Sequence, residues 1–172
     1  TCPHCLNTLG REYPQLGGHY EVVHHTQLLN QLVREGRLTP VADGAGAARR
    51  SITYHDPCYL GRHNQVYAPP RELLQVLPGA EYVEMERNSE RSFCCGAGGA
   101  RMWMEEHIGT RINVTRVEQG LPQQPHVIAT ACPYCSVMLG DGLKAKNLNE
   151  TIVTRDVAEL VASAMVRARA SG

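Results

Sequence analysis

Strand-like runs alternate with helix-like runs along the chain. That alternation predicts an α/β fold: a mainly parallel sheet with helices on both faces. Two further observations support it. Cys58, Cys94 and Cys132 each follow a predicted strand, and the junction around Cys132 recurs at the start of the chain. Ligands of parallel sheets gather beyond the carboxyl ends of the strands, so the cysteines are expected on one rim.

The elements follow in order. Leu6 to about Tyr13 is predicted as a short helix, and Tyr20-Glu21-Val22-Val23-His24 as a buried strand. Thr26 is placed to cap a helix running to Arg34, with Leu28, Leu29, Leu32 and Val33 inward and Gly36 past its end. Residues 41–50, rich in Ala and Gly, are predicted as a linker. Ser51–His55 is predicted as a strand ended by Asp56-Pro57-Cys58, Pro70–Leu77 as a helix stopped by Pro78-Gly79, and Glu81–Met85 as a strand. Ala100 to about Glu118 is predicted as the longest helix, because Met104, Ile108 and Ile112 recur at core spacing; Trp103 and the methionines are read as core filling. Val127–Thr130 is predicted as a strand delivering Cys132, Ser136 to about Leu143 as a short helix, Ile152–Thr154 as a strand and Val157–Arg169 as the closing helix.

Composition narrows the function. The chain has 172 residues, with 17 Lys+Arg against 17 Asp+Glu. This balance argues against nucleic acid or an anionic membrane surface as the main partner. No apolar run is long enough to span a bilayer, and no signal-peptide pattern opens the chain. Seven cysteines in a chain of this size, with two C-x-x-C pairs, point to thiolate–metal chemistry in a reducing compartment rather than to a disulfide framework.

The repeat bears on domain organisation. Thr1-Cys2-Pro3-His4-Cys5-Leu6-Asn7-Thr8-Leu9-Gly10 aligns with Ala131-Cys132-Pro133-Tyr134-Cys135-Ser136-Val137-Met138-Leu139-Gly140, and Val22-Val23 with Ile152-Val153. Residues 1–40 are therefore expected to be the tail of one repeat and 51–172 a complete second one. The rest of the first copy would lie upstream.

The second copy holds Cys58, then 35 residues, Cys94-Cys95, then 36 residues, Cys132 and Cys135. Five thiols exceed the tetrahedral need of one zinc and suit an iron–sulfur centre. Vicinal cysteines can each serve a different iron, and the glycines at 96, 98 and 99 let the backbone approach sulfur. Cys132 and Cys135 share a face near a helix start, where the helix favours thiolate.

This order resembles the CCG, or cysteine-rich, domain. That domain occurs, usually duplicated, in heterodisulfide reductase and in iron–sulfur subunits of glycolate, lactate and anaerobic glycerol-phosphate oxidation. The resemblance implies Cys58, Cys94, Cys95, Cys132 and Cys135 as ligands of one non-cubane [4Fe-4S] cluster. It makes Cys2 and Cys5 the last two ligands of a preceding copy. The flanks Tyr54-His55-Asp56-Pro57-Cys58-Tyr59-Leu60-Gly61-Arg62 and Cys95-Gly96-Ala97-Gly98-Gly99-Ala100-Arg101-Met102-Trp103 resemble large bacterial membrane-bound iron–sulfur reductases. Those proteins carry a membrane part, a ferredoxin-like segment and two CCG copies. The resemblance implies a redox partner such as an electron-transfer flavoprotein or a flavin dehydrogenase, delivery to quinone through the membrane part, and a place at the cytoplasmic face of the membrane.

Two other readings compete. The Cys-Pro-x-Cys motifs suit a thioredoxin-like thiol–disulfide oxidoreductase, which leaves Cys58 and the vicinal pair unexplained. Four of the five thiols suit a structural zinc site without turnover, and zinc is also the expected result of mis-metallation. Beside the cysteines, His55 is a candidate donor to a cluster ligand, and Asp56 reads as a strand-ending turn. His24 and His25 read as hydrogen-bonded surface histidines. Arg62 and Arg101 are weaker candidates for steadying an anionic centre.

Overall fold

The computed structural model describes residues 1–41 and 50–165. Nearly all of the expected linker, and the last turn of the expected closing helix, lie outside the described residues.

The sheet has four parallel strands: β1 (Arg50–Tyr54), β2 (Ala80–Tyr82), β3 (Val127–Thr130) and β4 (Val153–Asp156), in the order β2-β1-β3-β4. Ile52 lies opposite Tyr82 on one side and Val127 on the other, and Val127 lies opposite Val153. The central strands are buried where they meet, over Ile52–Tyr54 of β1 and Val127–Thr130 of β3, as strands covered on both faces must be. Side chains alternate between faces. Ile52, Tyr54, Val127 and Ala129 join a core with Leu73, Leu74, Val157 and Val161, against α3 (Ala68–Gln75) and α6 (Val157–Met165). Ile128 points the other way, into Met85, Val117, Leu139 and Leu143 beneath α4 (Ile112–Gly120) and α5 (Pro133–Ala145). Helices therefore cover both faces. The chain leaves β1 for α3 on one face and β3 for α5 on the other. Between the carboxyl ends of these two neighbours lies the crevice that such a reversal creates.

Four expectations are corrected. Tyr20–His24 forms no strand: the His24 amide donates to the Gln27 side chain and its carbonyl accepts from Gln27 and Leu28, so these groups start a helix instead of a ladder. That helix, α2 (His25–Arg34), is capped by His24, not Thr26, and it turns Leu28 outward; Gly36 ends it as expected, at φ 67°. No long helix spans residues 100–118. Ala100 and Gly109 sit in the left-handed region and Met104 is extended, so the helix starts only at Ile112. As a result Trp103, Met104 and Ile108 are 80%, 57% and 89% exposed, and only Met102 of that stretch touches the cysteine cluster. Finally, α5 is the longest helix among the described residues, because Pro133 at its first turn starts it at the cysteine motif itself.

Candidate metal centre

Three segments deliver the five cysteines to the crevice. Beyond β1, His55 pairs its amide with the Ala129 carbonyl, and the turn from Pro57 to Gly61 presents Cys58. Beyond β3, Cys132 is the residue before α5, in extended conformation, and Cys135 lies on the helix's first turn. The vicinal pair comes from the loop after β2. Asp56 holds that loop: it takes two 2.8 Å bonds from Arg71 and one from the Ser89 amide. Arg62 donates to the Ser92 carbonyl at 2.6 Å. Asp56 is thus a buried anchor and more than a turn residue, and Arg62 steadies the backbone leading to Cys94. Arg101 pairs with Glu106 and takes no part.

The five thiols influence one another in series. Cys95 Sγ lies 3.3 Å from Cys135 Sγ, and side-chain interactions tie the proton affinity of Cys58 to Cys94, Cys94 to Cys95 and Cys135 to Cys132. Cys95, Cys132 and Cys135 are buried, while Cys58 and Cys94 are half-buried. Cys94 and Cys132 are shifted down, and Cys58, Cys95 and Cys135 up. Cys94 is pushed far down because it accepts from Cys58 and Cys95, helped by the Gly96 amide 3.3 Å away. Cys132 is lowered by Cys135 and by the Cys135 and Tyr134 amides that open α5. Cys95 is lowered by Cys135 but raised more by Cys94 and burial, and ends near 12. Cys58 and Cys135 are raised by the thiolates they donate to. Gly96 makes the tight approach possible: its φ is +89°, and a Cβ there would come 3.0 Å from Ile112 Cβ. Gly98 and Gly99 meet nothing within 4 Å.

Cys2 and Cys5 are not part of this series. They interact with each other, Cys2 half-buried with its thiol raised by burial and Cys5 exposed. Their motif nonetheless leans on the second one: the His4 ring lies 4.2 Å from Tyr59 and 5.3 Å, edge-on, from Tyr134. His24 is buried, not at the surface; its Nδ1 meets the Thr26 hydroxyl at 2.8 Å and its Nε2 donates to the Thr1 carbonyl at 3.0 Å. His25 bonds Asp156 at 2.9 Å.

Two buried polar groups border the sulfurs. His55 puts a ring nitrogen within 4.8 Å of the Cys95 and Cys135 sulfurs. Burial, then the Arg116 cation, holds it neutral, with its pKa lowered to about 3. Arg116, on α4, is fully buried, and among the described residues none of its bonds goes to a carboxylate: it donates to His55 Nδ1, the Arg87 carbonyl and Gln119. Burial lowers its pKa only to about 10, so it stays charged. Arg116 was not legible as a site residue, because in the expected long helix it is one more polar position.

These residues fit a polynuclear iron–sulfur group. The clustered thiols and, among the described residues, a buried cation without a carboxylate partner and an unbonded buried imidazole nitrogen suit an anionic occupant. Fold and pocket together define a doubly wound α/β domain with a thiolate metal centre. The chain belongs to the cysteine-rich (CCG) domain family, whose profile matches residues 52–140. It is 51% identical to the "Probable iron-sulfur-binding oxidoreductase FadF" of Bacillus subtilis over 96% of this chain, and 46% identical to the "EtfAB:quinone oxidoreductase" of Syntrophomonas wolfei over 95%. It is 36% identical over 95% to one chain of the dihydromethanophenazine:CoB--CoM heterodisulfide reductase of Methanosarcina barkeri. The chain spans only 23%, 23% and 39% of those three relatives. No helix among the described residues is long and apolar enough to cross a membrane.

Proposed function

We propose that this chain is the electron-transfer portion of a larger iron–sulfur oxidoreductase, with Cys58, Cys94, Cys95, Cys132 and Cys135 holding one non-cubane [4Fe-4S] cluster. The observation that carries this reading is five thiols near enough to influence one another, one thiol more than a tetrahedral ion uses. Cys95 Sγ lies 3.3 Å from Cys135 Sγ, and Cys58, Cys94 and Cys132 are tied to their neighbours in proton affinity. Such a cluster, when bound, accepts and passes on single electrons. The chain's own residues supply the rest. The opening turn of α5 and the Gly96 amide favour thiolate at Cys132 and Cys94, and the remaining thiols lose their protons as metal enters. Burial of Cys95, Cys132 and Cys135 keeps water from the inner side, while half-exposed Cys58 and Cys94 mark the side where an electron enters or leaves.

In this reading residues 1–40 are the tail of a preceding repeat, residues 51–172 form a complete one, and Cys2 and Cys5 ligate metal in that other copy. The relative named as an EtfAB:quinone oxidoreductase supports an electron-transfer flavoprotein as donor and quinone as acceptor, and with them a position at the cytoplasmic face of the membrane.

The test is anaerobic reconstitution with iron and sulfide, metal analysis, low-temperature electron paramagnetic resonance, and mixing with reduced electron-transfer flavoprotein. About four iron and four sulfide per chain, with oxidation of the flavin, are expected. About one zinc, no sulfide and no signal make the chain a structural zinc module instead.

A further inference from the structure

His55 has one ring nitrogen engaged and one free. Nδ1 takes the hydrogen bond from Arg116 Nε at 3.0 Å. Guanidinium has donors only, so this bond runs one way and Nδ1 must be the acceptor. A neutral imidazole that accepts at Nδ1 carries its proton on Nε2. Nε2 is buried and has no partner among the described residues. The sulfurs of Cys95 and Cys135 lie within 4.8 Å of a nitrogen of this ring. A buried N–H left unpaired carries its full desolvation penalty unless a sulfur accepts it.

The spacing of His55, Cys95 and Cys135 also suits a three-ligand metal site, and Arg116 decides between the two roles. To ligate through Nε2, His55 would have to lose its Nε2 proton to become imidazolate. The alternative is to move the proton to Nδ1 and orphan the Arg116 donor in the core. Neither is needed if Nε2–H donates.

Resting on the cluster reading above, we propose that His55, held in its Nε2–H form by Arg116, is a hydrogen-bond donor to a sulfur of the centre and not a metal ligand. Such a donor stabilises the more negative, reduced state, and so raises the reduction potential. Arg116 acts through His55 and is a positioning residue.

Three measurements test this. In the metal-free chain carrying ¹⁵N-histidine, nuclear magnetic resonance is expected to find His55 as the Nε2–H tautomer; the Nδ1–H form overturns the role of Arg116. In the reconstituted, reduced chain, pulsed electron paramagnetic resonance is expected to show a proton that exchanges in D₂O and a weak ¹⁵N coupling. A strong coupling from a ligating nitrogen, or no His55 coupling at all, overturns the donor. His55→Leu is expected to keep its iron yet hold its electron about tenfold less tightly, a fall of about 59 mV for one electron, with partial recovery in His55→Gln. An unchanged potential in an iron-loaded His55→Leu overturns the proposal. A wild-type chain that takes up no iron and sulfide overturns the cluster reading itself, a result distinct from all of these.

Discussion

The two Cys-Pro-x-Cys motifs have nearly the same local structure and very different surroundings. In both, an extended cysteine precedes a helix that starts at proline: Cys2 (φ −89°, ψ 119°) before α1 (Pro3–Asn7), and Cys132 (φ −152°, ψ 126°) before α5. Cys132 follows a central strand, is fully buried and reaches the rest of the series through Cys135. Cys2 is half-buried, and its partner Cys5 is exposed. The motif sets the helix start and the relative placing of two sulfurs. The sheet, with the loops after β1 and β2, turns two sulfurs into a five-sulfur pocket.

The largest expected break in this comparison is chemical. Cys94→Ser or Cys135→Ser is expected to lose nearly all cluster iron on reconstitution, whereas Cys2→Ser and Cys5→Ser keep the wild-type iron count; iron analysis of the four variants checks this. A variant of Cys94 or Cys135 that holds full iron removes that residue from the ligand set.

Next in size is Gly96→Ala. It forces a side chain into a left-handed backbone position and against Ile112, and is expected to cost about 1–3 kcal/mol in denaturant unfolding of the metal-free chain. Gly98→Ala, where a Cβ meets nothing, is the control and is expected to be neutral.

The smallest effect belongs to the first motif's anchor. Burial lowers His24 from its ordinary 6.5 to about 4. The unfolded chain therefore binds this proton first as pH falls. The stabilisation from neutral His24 is full above pH 6.5 and is lost as pH drops towards 4, by about 2 kcal/mol at pH 5. His24→Asn, which retains a capping side chain, is expected to flatten the stability profile over that window. Denaturant midpoints at pH 7 and pH 5 check this; equal pH dependence in both proteins contradicts the assigned burial.

Much of the architecture could be read from residue patterns. The β-branched and aromatic residues of Ser51–His55, ended by Asp56-Pro57, and the apolar run Val127–Thr130 mark the central strands. The cysteine rim followed from strands that end in cysteines. Patterns failed where local preference and tertiary context disagree. Tyr20–His24 has strand composition, yet its last residue serves as a helix cap. Met104, Ile108 and Ile112 keep helical spacing, yet the left-handed turn at Gly109 breaks it and leaves Trp103 and Ile108 in solvent. Arg116 carried no signal, since a buried arginine is recognisable only from what surrounds it. His55 was visible as a neighbour of Cys58, but its donor role depends on a contact from sixty-one residues away.

The central claim is that five sulfurs share one polynuclear centre. Anomalous diffraction at the iron edge from crystals of the reconstituted chain tests it most directly. The account predicts several iron peaks in the crevice between β1 and β3, with Cys58, Cys94, Cys95, Cys132 and Cys135 all within bonding distance of iron. A single metal bound by four of them, with the Cys58 sulfur turned away, would contradict it.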